Sequence, residues 1–228
     1  MAEASLTELL DIWVEGWAST RGYDLRDVGS FKAALLTDRS GDWEAFAANP
    51  SDEEFGALAS FVAETPARIL TVLTEDHVAY RALAEKHGLQ VLSAEQELMV
   101  MDFADKDVED PWLNDDELKH TTDIQDHSAA VTVTGEGGAL AASGHVAVVR
   151  GYAVFDRIVT EPAFRRRGLG SFVMRALTAA VSEHGLDQGL LIASTDGQHL
   201  YHHLGWSDVS GVLVLGNPGT SAGSSLSD

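Results

Sequence analysis

DRIVTEPAFRRRGLGSFVMRAL, residues 156 to 177, decides how this 228-residue chain is read. Asp156 to Thr160 end a run, YAVFDRIVT, whose aromatic and β-branched residues predict a strand. Beyond it, Val173, Ala176, Leu177, Ala180 and Val181 share one face of a helix predicted from about Gly168 to His184 and stopped by Gly185. Arg165, Arg166 and Arg167, three of only 15 basic residues, stand where the strand gives way to the helix. The first turn of a helix already carries the positive end of its dipole, so cations there are unfavourable unless an anion joins them. Gly168 and Gly170 put no side chain in the way, and the free backbone N–H groups of residues 166–171 can converge on phosphate oxygens. A solvated basic loop is the plain alternative. A dinucleotide-binding turn fits badly, because Val173 holds the third glycine position of G-x-G-x-x-G and the strand before the loop follows a meander. No Gly-Lys-Ser or Gly-Lys-Thr exists for a Walker loop.

Working outward, AAVTVT, ALAASGHVAVVR and YAVFDRIVTEP, separated by turns at GEGG and Gly151, predict three strands in a meander ahead of the loop. After the helix come a strand, GLLIAS, a short helix around HLYHHL, and a last strand, VSGVLVL. These residues resemble the GNAT superfamily of acyl-CoA-dependent N-acetyltransferases. The family's glycine-loop motif matches Arg165 to Gly170, and its later motif of strand, tyrosine-bearing short helix and Gly-aromatic matches LLIAS, Tyr201 and Leu204-Gly205-Trp206. The two motifs in this order and spacing are far more specific than either alone.

The resemblance covers residues 95–215 and implies an α/β fold with a GNAT-type mixed, mostly antiparallel sheet flanked by helices. It further implies acetyl transfer from acetyl-CoA, as cosubstrate, to a primary amine by direct attack. The backbone of Arg166, Arg167, Gly168, Leu169, Gly170 and Ser171, with Arg165 beside it, would hold the pyrophosphate. Ile158, Val159 and Thr160 would line pantetheine and aim a backbone N–H at the thioester carbonyl, stabilising its oxyanion. Tyr201 matches the tyrosine that protonates the departing thiolate; the alternative for it is a core tyrosine packing a short helix. The family often has asparagine seven residues before that tyrosine, where this chain has Ser194, so a hydroxyl would have to make the pantetheine contact. Two rivals remain: a non-catalytic acyl-CoA-binding module, and a transferase using another acyl donor.

Asp156 is the candidate base that frees the amine's lone pair, because alternation along the strand would put it on the same face as Ile158. A strand-end aspartate paired with Arg157 or His145 is the competing reading. His199 and His203 are four apart on a helix, but no HExxH motif or third ligand accompanies them, so no metal is expected.

Residues 1–94 lie outside the resemblance and form a smaller α/β region, read in the order helix, strand, helix, strand. Leu6, Leu9, Leu10, Trp13 and Trp17 mark its first helix, with both tryptophans packing the core. EDHVAYRALAEKHGLQVLSAEQELMV echoes TDGQHLYHHLGWSDVSGVLVL in carrying an acid, a tyrosine on a short helix, a glycine and then a strand, which suggests a reduced second copy. Between Asp102 and Asp126, ten of 25 residues are acidic, marking a domain joint or an exposed helical excursion where the superfamily builds its acceptor site. Residues 216–228 read as a disordered Gly/Ser-rich tail.

With 15 Lys and Arg against 36 Asp and Glu, the formal charge of −21 opposes nucleic acid and anionic membrane surfaces. No cysteine is present, which removes disulfides, thiolate zinc sites and a cysteine nucleophile. The N-terminus lacks the pattern of a signal peptide and there is no long apolar run, so a cytoplasmic protein acting on a small-molecule amine is expected, a cationic one by its charge. A homodimer stays open.

Overall fold

The structure is a computed structural model and describes residues 4–103 and 111–220. It opens on helix α1, Leu6–Arg21. Ser5 and Glu8 cap this helix reciprocally, and Gly22 closes it at φ 67°, a left-handed turn that glycine makes without strain. Strands β1 (Leu25–Val28), β2 (Phe31–Leu35) and β3 (Trp43–Ala48) follow, then helix α2 (Asp52–Ala63), strand β4 (Ile69–Leu73), helix α3 (His77–Lys86) and strand β5 (Gln90–Asp102). The second half runs β6 (Lys119–Gln125), β7 (Ser128–Thr134), β8 (Leu140–Val149), β9 (Tyr152–Thr160), α4 (Leu169–Val181), β10 (Gln188–Ala193), α5 (Thr195–Leu204) and β11 (Ser207–Gly216).

The eleven strands form one sheet in the order β1-β2-β3-β4-β11-β5-β10-β9-β8-β7-β6. Only β3 with β4 and β9 with β10 run parallel; every other neighbour is antiparallel. This is the mixed, mostly antiparallel α/β sheet expected from the sequence. Each half contributes a meander, a helix, a parallel strand, a second helix and a last strand. The last strands are exchanged: β11 pairs with β4 of the first half and β5 pairs with β10 of the second. The sequence echo therefore falls on equivalent units, β4-α3-β5 and β10-α5-β11, with Tyr80 standing where Tyr201 stands.

Alternation within the strands sorts side chains between two faces. On one face α1 lies alone, burying Leu10, Trp13, Val14 and Trp17 against Phe46, Leu98, Val154, Leu190 and Val212. Trp13 and Trp17 stack at 5.3 Å between centroids, as their shared helix face requires. Gly16 brings α1 directly onto β9, since a Cβ there would lie 2.4 Å from Val154 Cβ. On the opposite face α4 and α5 cover Met99, Ala153, Phe155 and Leu191, while α2 and α3 cover Leu70, Val72, Leu213 and Leu215.

Several sequence readings need correction. The first half holds a three-stranded meander rather than one strand, because β1 is largely exposed and β3 carries a buried Glu44 that hides its pattern. The helical excursion expected between Asp102 and Asp126 is, where described, a loop and the exposed edge strand β6; residues 104–110 lie outside the described residues. Position 94 falls inside β5, a strand paired on both sides. At the start of the expected tail, Asn217 donates to the carbonyls of Val62 and Thr65, and Thr220 to that of Pro66, while residues 221–228 lie outside the described residues.

Candidate active site

The parallel strands β9 and β10 pair only through Tyr152–Val154 and Gln188–Leu190, then part. Their separated ends form the walls of a cavity of about 950 Å³. Phe155 to Thr160 line one wall, Leu191, Ile192 and Ser194 the other, Arg165, Arg166 and Gly168 to Ser171 one end, and His199, Leu200, Tyr201 and His203 of α5 the cover. Ligand sites usually measure about 300–1,000 Å³, so this one has room for a large cosubstrate.

At the loop end, Arg166 at φ 64° and Gly168 at φ 77° turn the chain sharply into α4. Helices α1, α2, α3 and α5 each have a side-chain cap, from Ser5, Ser51, Asp76 and Ser194. Helix α4 has none. Its first-turn N–H groups, which lack intrahelical acceptors, thus open beside Arg165 and Arg166 onto the cavity. Arg167 instead pairs with Asp115 and lies 3.9 Å from Glu117, so its guanidinium leaves the cavity and only its backbone stays on the loop. Gly170 allows α5 to approach, since a Cβ there would lie 2.8 Å from Leu200 Cδ2.

Ser194 lines the cavity, and its hydroxyl accepts from Gly197 N at 3.3 Å as the cap of α5. That use accounts for a serine at this position. Tyr201 is 7% exposed and leans on Trp206, 5.9 Å between centroids. Burial, reinforced by the charge of Asp156, pushes its phenol well above the usual range and keeps it protonated. Tyr80, its counterpart in the first half, donates to the Pro50 carbonyl at 2.7 Å and is enclosed in core.

Asp156 is buried, and its partner is one that sequence reasoning missed. Arg21, the last residue of α1, grips it through two bonds, Nε to Oδ2 at 2.7 Å and Nη2 to Oδ1 at 2.9 Å, while the Thr20 hydroxyl lies 3.0 Å from Oδ2. Neither Arg157 nor His145 holds it, although His145 is its partner across the β8–β9 ladder. Nothing local in the sequence signals this contact, which joins residues 135 apart.

The same-face argument for Asp156 and Ile158 also fails. Val154 and Asp156 face α1, but Ile158 packs with Phe155 against α4. A bulge causes the switch: Val159 pairs with Ser143 and Asp156 with His145, so two residues of β9 stand opposite Gly144. Arg157 sits in that bulge at φ 52°. The guanidinium of Arg157 meets Asp38, from the β2–β3 connection, at 3.0 Å. Ile158, Val159 and Thr160 all still line the cavity.

Asp196, His199 and His203 also reach the cavity. Among the described residues no three His, Cys, Asp or Glu side chains are grouped as metal ligands, and no helix is long and apolar enough to cross a membrane.

Comparison with known proteins agrees with this geometry. Residues 127–208, from the meander to the strand after the tyrosine helix, match the family model for an acetyltransferase (GNAT) domain. A GCN5-related N-acetyltransferase from Kribbella flavida superposes with a TM-score of 0.68 at 16% identity, over 96% of this chain and 97% of its own. A GNAT-family acetyltransferase structure from Novosphingobium aromaticivorans gives 0.60 at 16% identity, over 94% and 99%. A tandem GNAT protein from the clavulanic acid biosynthesis pathway gives 0.57 at 15%, over 83% and 78%. At these identities the superpositions speak for the fold, which extends over the N-terminal half as well. Residues 127–208 thus match a GNAT acetyltransferase domain, and the chain as a whole shares the fold of GNAT structures.

Proposed function

We propose that this chain transfers an acetyl group from acetyl-CoA to a primary amine. The observation that carries the reading is the cavity between parted parallel strands, closed at one end by an uncapped helix start with two arginines and covered at the other by a buried, protonated tyrosine. The N–H groups of residues 166–171 would take the pyrophosphate, and the pantetheine arm would run between β9 and β10 along Ile158, Val159 and Thr160.

The bulge supports an oxyanion role for β9. It interrupts ladder bonding where the thioester would lie, so a backbone N–H there is available to the carbonyl oxygen. The amine, having lost its proton, attacks the thioester carbon; the tetrahedral adduct collapses, the C–S bond breaks, and the thiolate leaves with the proton of Tyr201. Against a reference phenol near 10 and thiol near 8.5 the transfer is uphill, and burial raises the phenol further. The same desolvation raises the pKa of the departing thiol, which narrows the gap. Asp156 serves this reading as a structural partner of Arg21 rather than as the base, since both its oxygens are engaged.

The acceptor is proposed to be a cationic amine. Residues 1–150 carry a net −19 and residues 151–228 only −2, so nearly all of the net negative charge lies in the segment that precedes the cavity-lining residues. The test is acetyl-CoA turnover, read as free thiol, across polyamines, aminoglycosides, neutral amines and peptide N-termini. Thiol release with a polycation, at a kcat/KM that falls as salt shortens the roughly 10 Å screening length of 0.1 M, supports both parts. No thiol release with any amine overturns the activity, and a best acceptor that is neutral with a salt-independent rate overturns the charge argument.

A further inference from the structure

Residue 157 is a costly place for an arginine. A non-glycine residue in the left-handed region is disfavoured, and Arg157 adopts φ 52° in the middle of a strand, at the bulge that bends β9 along the cavity. Such a conformation persists only where the surroundings over-determine it. Here the surroundings come from the N-terminal region. Asp38 takes the guanidinium of Arg157 at 3.0 Å, and one residue earlier Arg21 and Thr20 take both oxygens of Asp156. The two anchors are joined, because the Tyr23 hydroxyl donates to Asp38 and accepts from Arg21. Gly144 completes the seat, for a Cβ there would lie 2.5 Å from Ile158 Cδ1.

We infer that the N-terminal region acts as a clamp on the β9 bulge, with Asp38 and Arg21 as positioning residues that hold the backbone of residues 157–159 in its donor geometry. The inference rests on the proposed acyl transfer for its effect on rate, and on the left-handed residue and its two anchors for its effect on structure. It gives residues 1–94 a task in a site whose reacting groups all lie in the second half. The clamp acts on the oxyanion donor and leaves the pyrophosphate loop alone, so its loss lowers kcat and spares the KM for acetyl-CoA.

Two substitutions at one position separate the clamp from a contact made by the guanidinium. Arg157→Ala and Arg157→Gly both delete the side chain and the Asp38 pair, but only glycine adopts positive φ freely. The clamp predicts that kcat of Arg157→Ala is about tenfold below that of Arg157→Gly, as a left-handed penalty of this kind implies. It also predicts that Asp38→Ala, an exposed and foldable change, lowers kcat several-fold with the KM for acetyl-CoA within twofold of wild type. Equal kcat for the alanine and glycine variants, or an unchanged kcat in Asp38→Ala, overturns the clamp. Urea unfolding supplies a readout without turnover: Arg157→Gly should be more stable than Arg157→Ala, and Asp38→Ala should cost less in the Arg157→Ala background than in wild type, the remainder being its bond from Tyr23. If wild type shows no acetyl transfer while this stability pattern holds, the activity is wrong and the clamp stands; additive losses overturn the clamp whatever the activity.

Discussion

Replacing Tyr201 with phenylalanine isolates one proton. The ring keeps its place against Trp206, 5.9 Å away, and above Gly197, where a Cβ would meet Tyr201 Cε2 at 3.0 Å, so the packing is preserved. What is lost is the O–H proposed to protonate the departing sulfur. Removing a positioned general acid costs on the order of 10²-fold, about 2.7 kcal/mol of transition-state stabilisation at 1.36 kcal/mol per decade. Acetyl-CoA affinity should change less than about twofold, because the hydroxyl contributes to the leaving step and not to the pyrophosphate loop. The pH profile adds a second constraint. The folded-state pKa of Tyr201 is raised, so its acid form persists and would be lost only as pH climbs through that raised value. Wild-type turnover should therefore rise as the acceptor amine deprotonates and show no descending limb below about pH 10. Tyr201→Phe should trace the same curve about 10²-fold lower. Thiol release followed from pH 6 to about 10 reads both quantities. Activity of Tyr201→Phe within threefold of wild type, or a wild-type descending limb near pH 8 that vanishes in the variant, refutes the assignment.

Gly170→Asp should abolish measurable acetyl-CoA binding by calorimetry, whereas Gly170→Ala, whose Cβ meets only the tip of Leu200 at 2.8 Å, should retain it within about tenfold; equal loss in both would make the glycine a packing residue alone. Arg21→Met leaves Asp156 buried without its cation and should cost about 3–5 kcal/mol in urea unfolding at pH 7.5. A loss below about 1 kcal/mol would refute the charge argument. Glu44 is fully buried, and desolvation, opposed by its bond from Thr71, pushes it from 4.5 to about 7. A raised acid binds its proton more tightly in the folded state, so stability is full below about pH 4.5 and declines by about 3 kcal/mol towards pH 7. Glu44→Gln should remove that decline and be the more stable protein at pH 8; a parallel pH dependence in both proteins would refute it.

The second half was legible because its signals are local. The glycine loop, the one-sided helix after it and the Tyr201 to Trp206 segment lie within about 50 residues, and each has a period or a turn residue that fixes it. The first half was harder. Leu25 to Val28, like Lys119 to Gln125 at the opposite edge in the second half, form an edge strand with little buried surface, so no hydrophobic alternation marks it. In β3 the buried residue at position 44 is a glutamate whose position only Thr71 on the neighbouring strand explains. Asp156, read as the candidate base on the face of Ile158, lines the cavity but points to the other face, because one left-handed arginine shifts the alternation and no sequence pattern announces it. Arg21 and Asp38 could not be found at all, since they reach β9 only once the two halves share a sheet.

The exchange of last strands has a consequence for what can be removed from this chain. In β11, Val212 to Leu215 are buried between β4 and β5. Trimmed to the half that carries the family match, the polypeptide would present this run of four apolar residues as a bare sheet margin, a template for indiscriminate pairing with other chains. The N-terminal half is thus retained by solubility as well as by any service to the site, and neither half is free to drift, unfold or be inherited apart from the other.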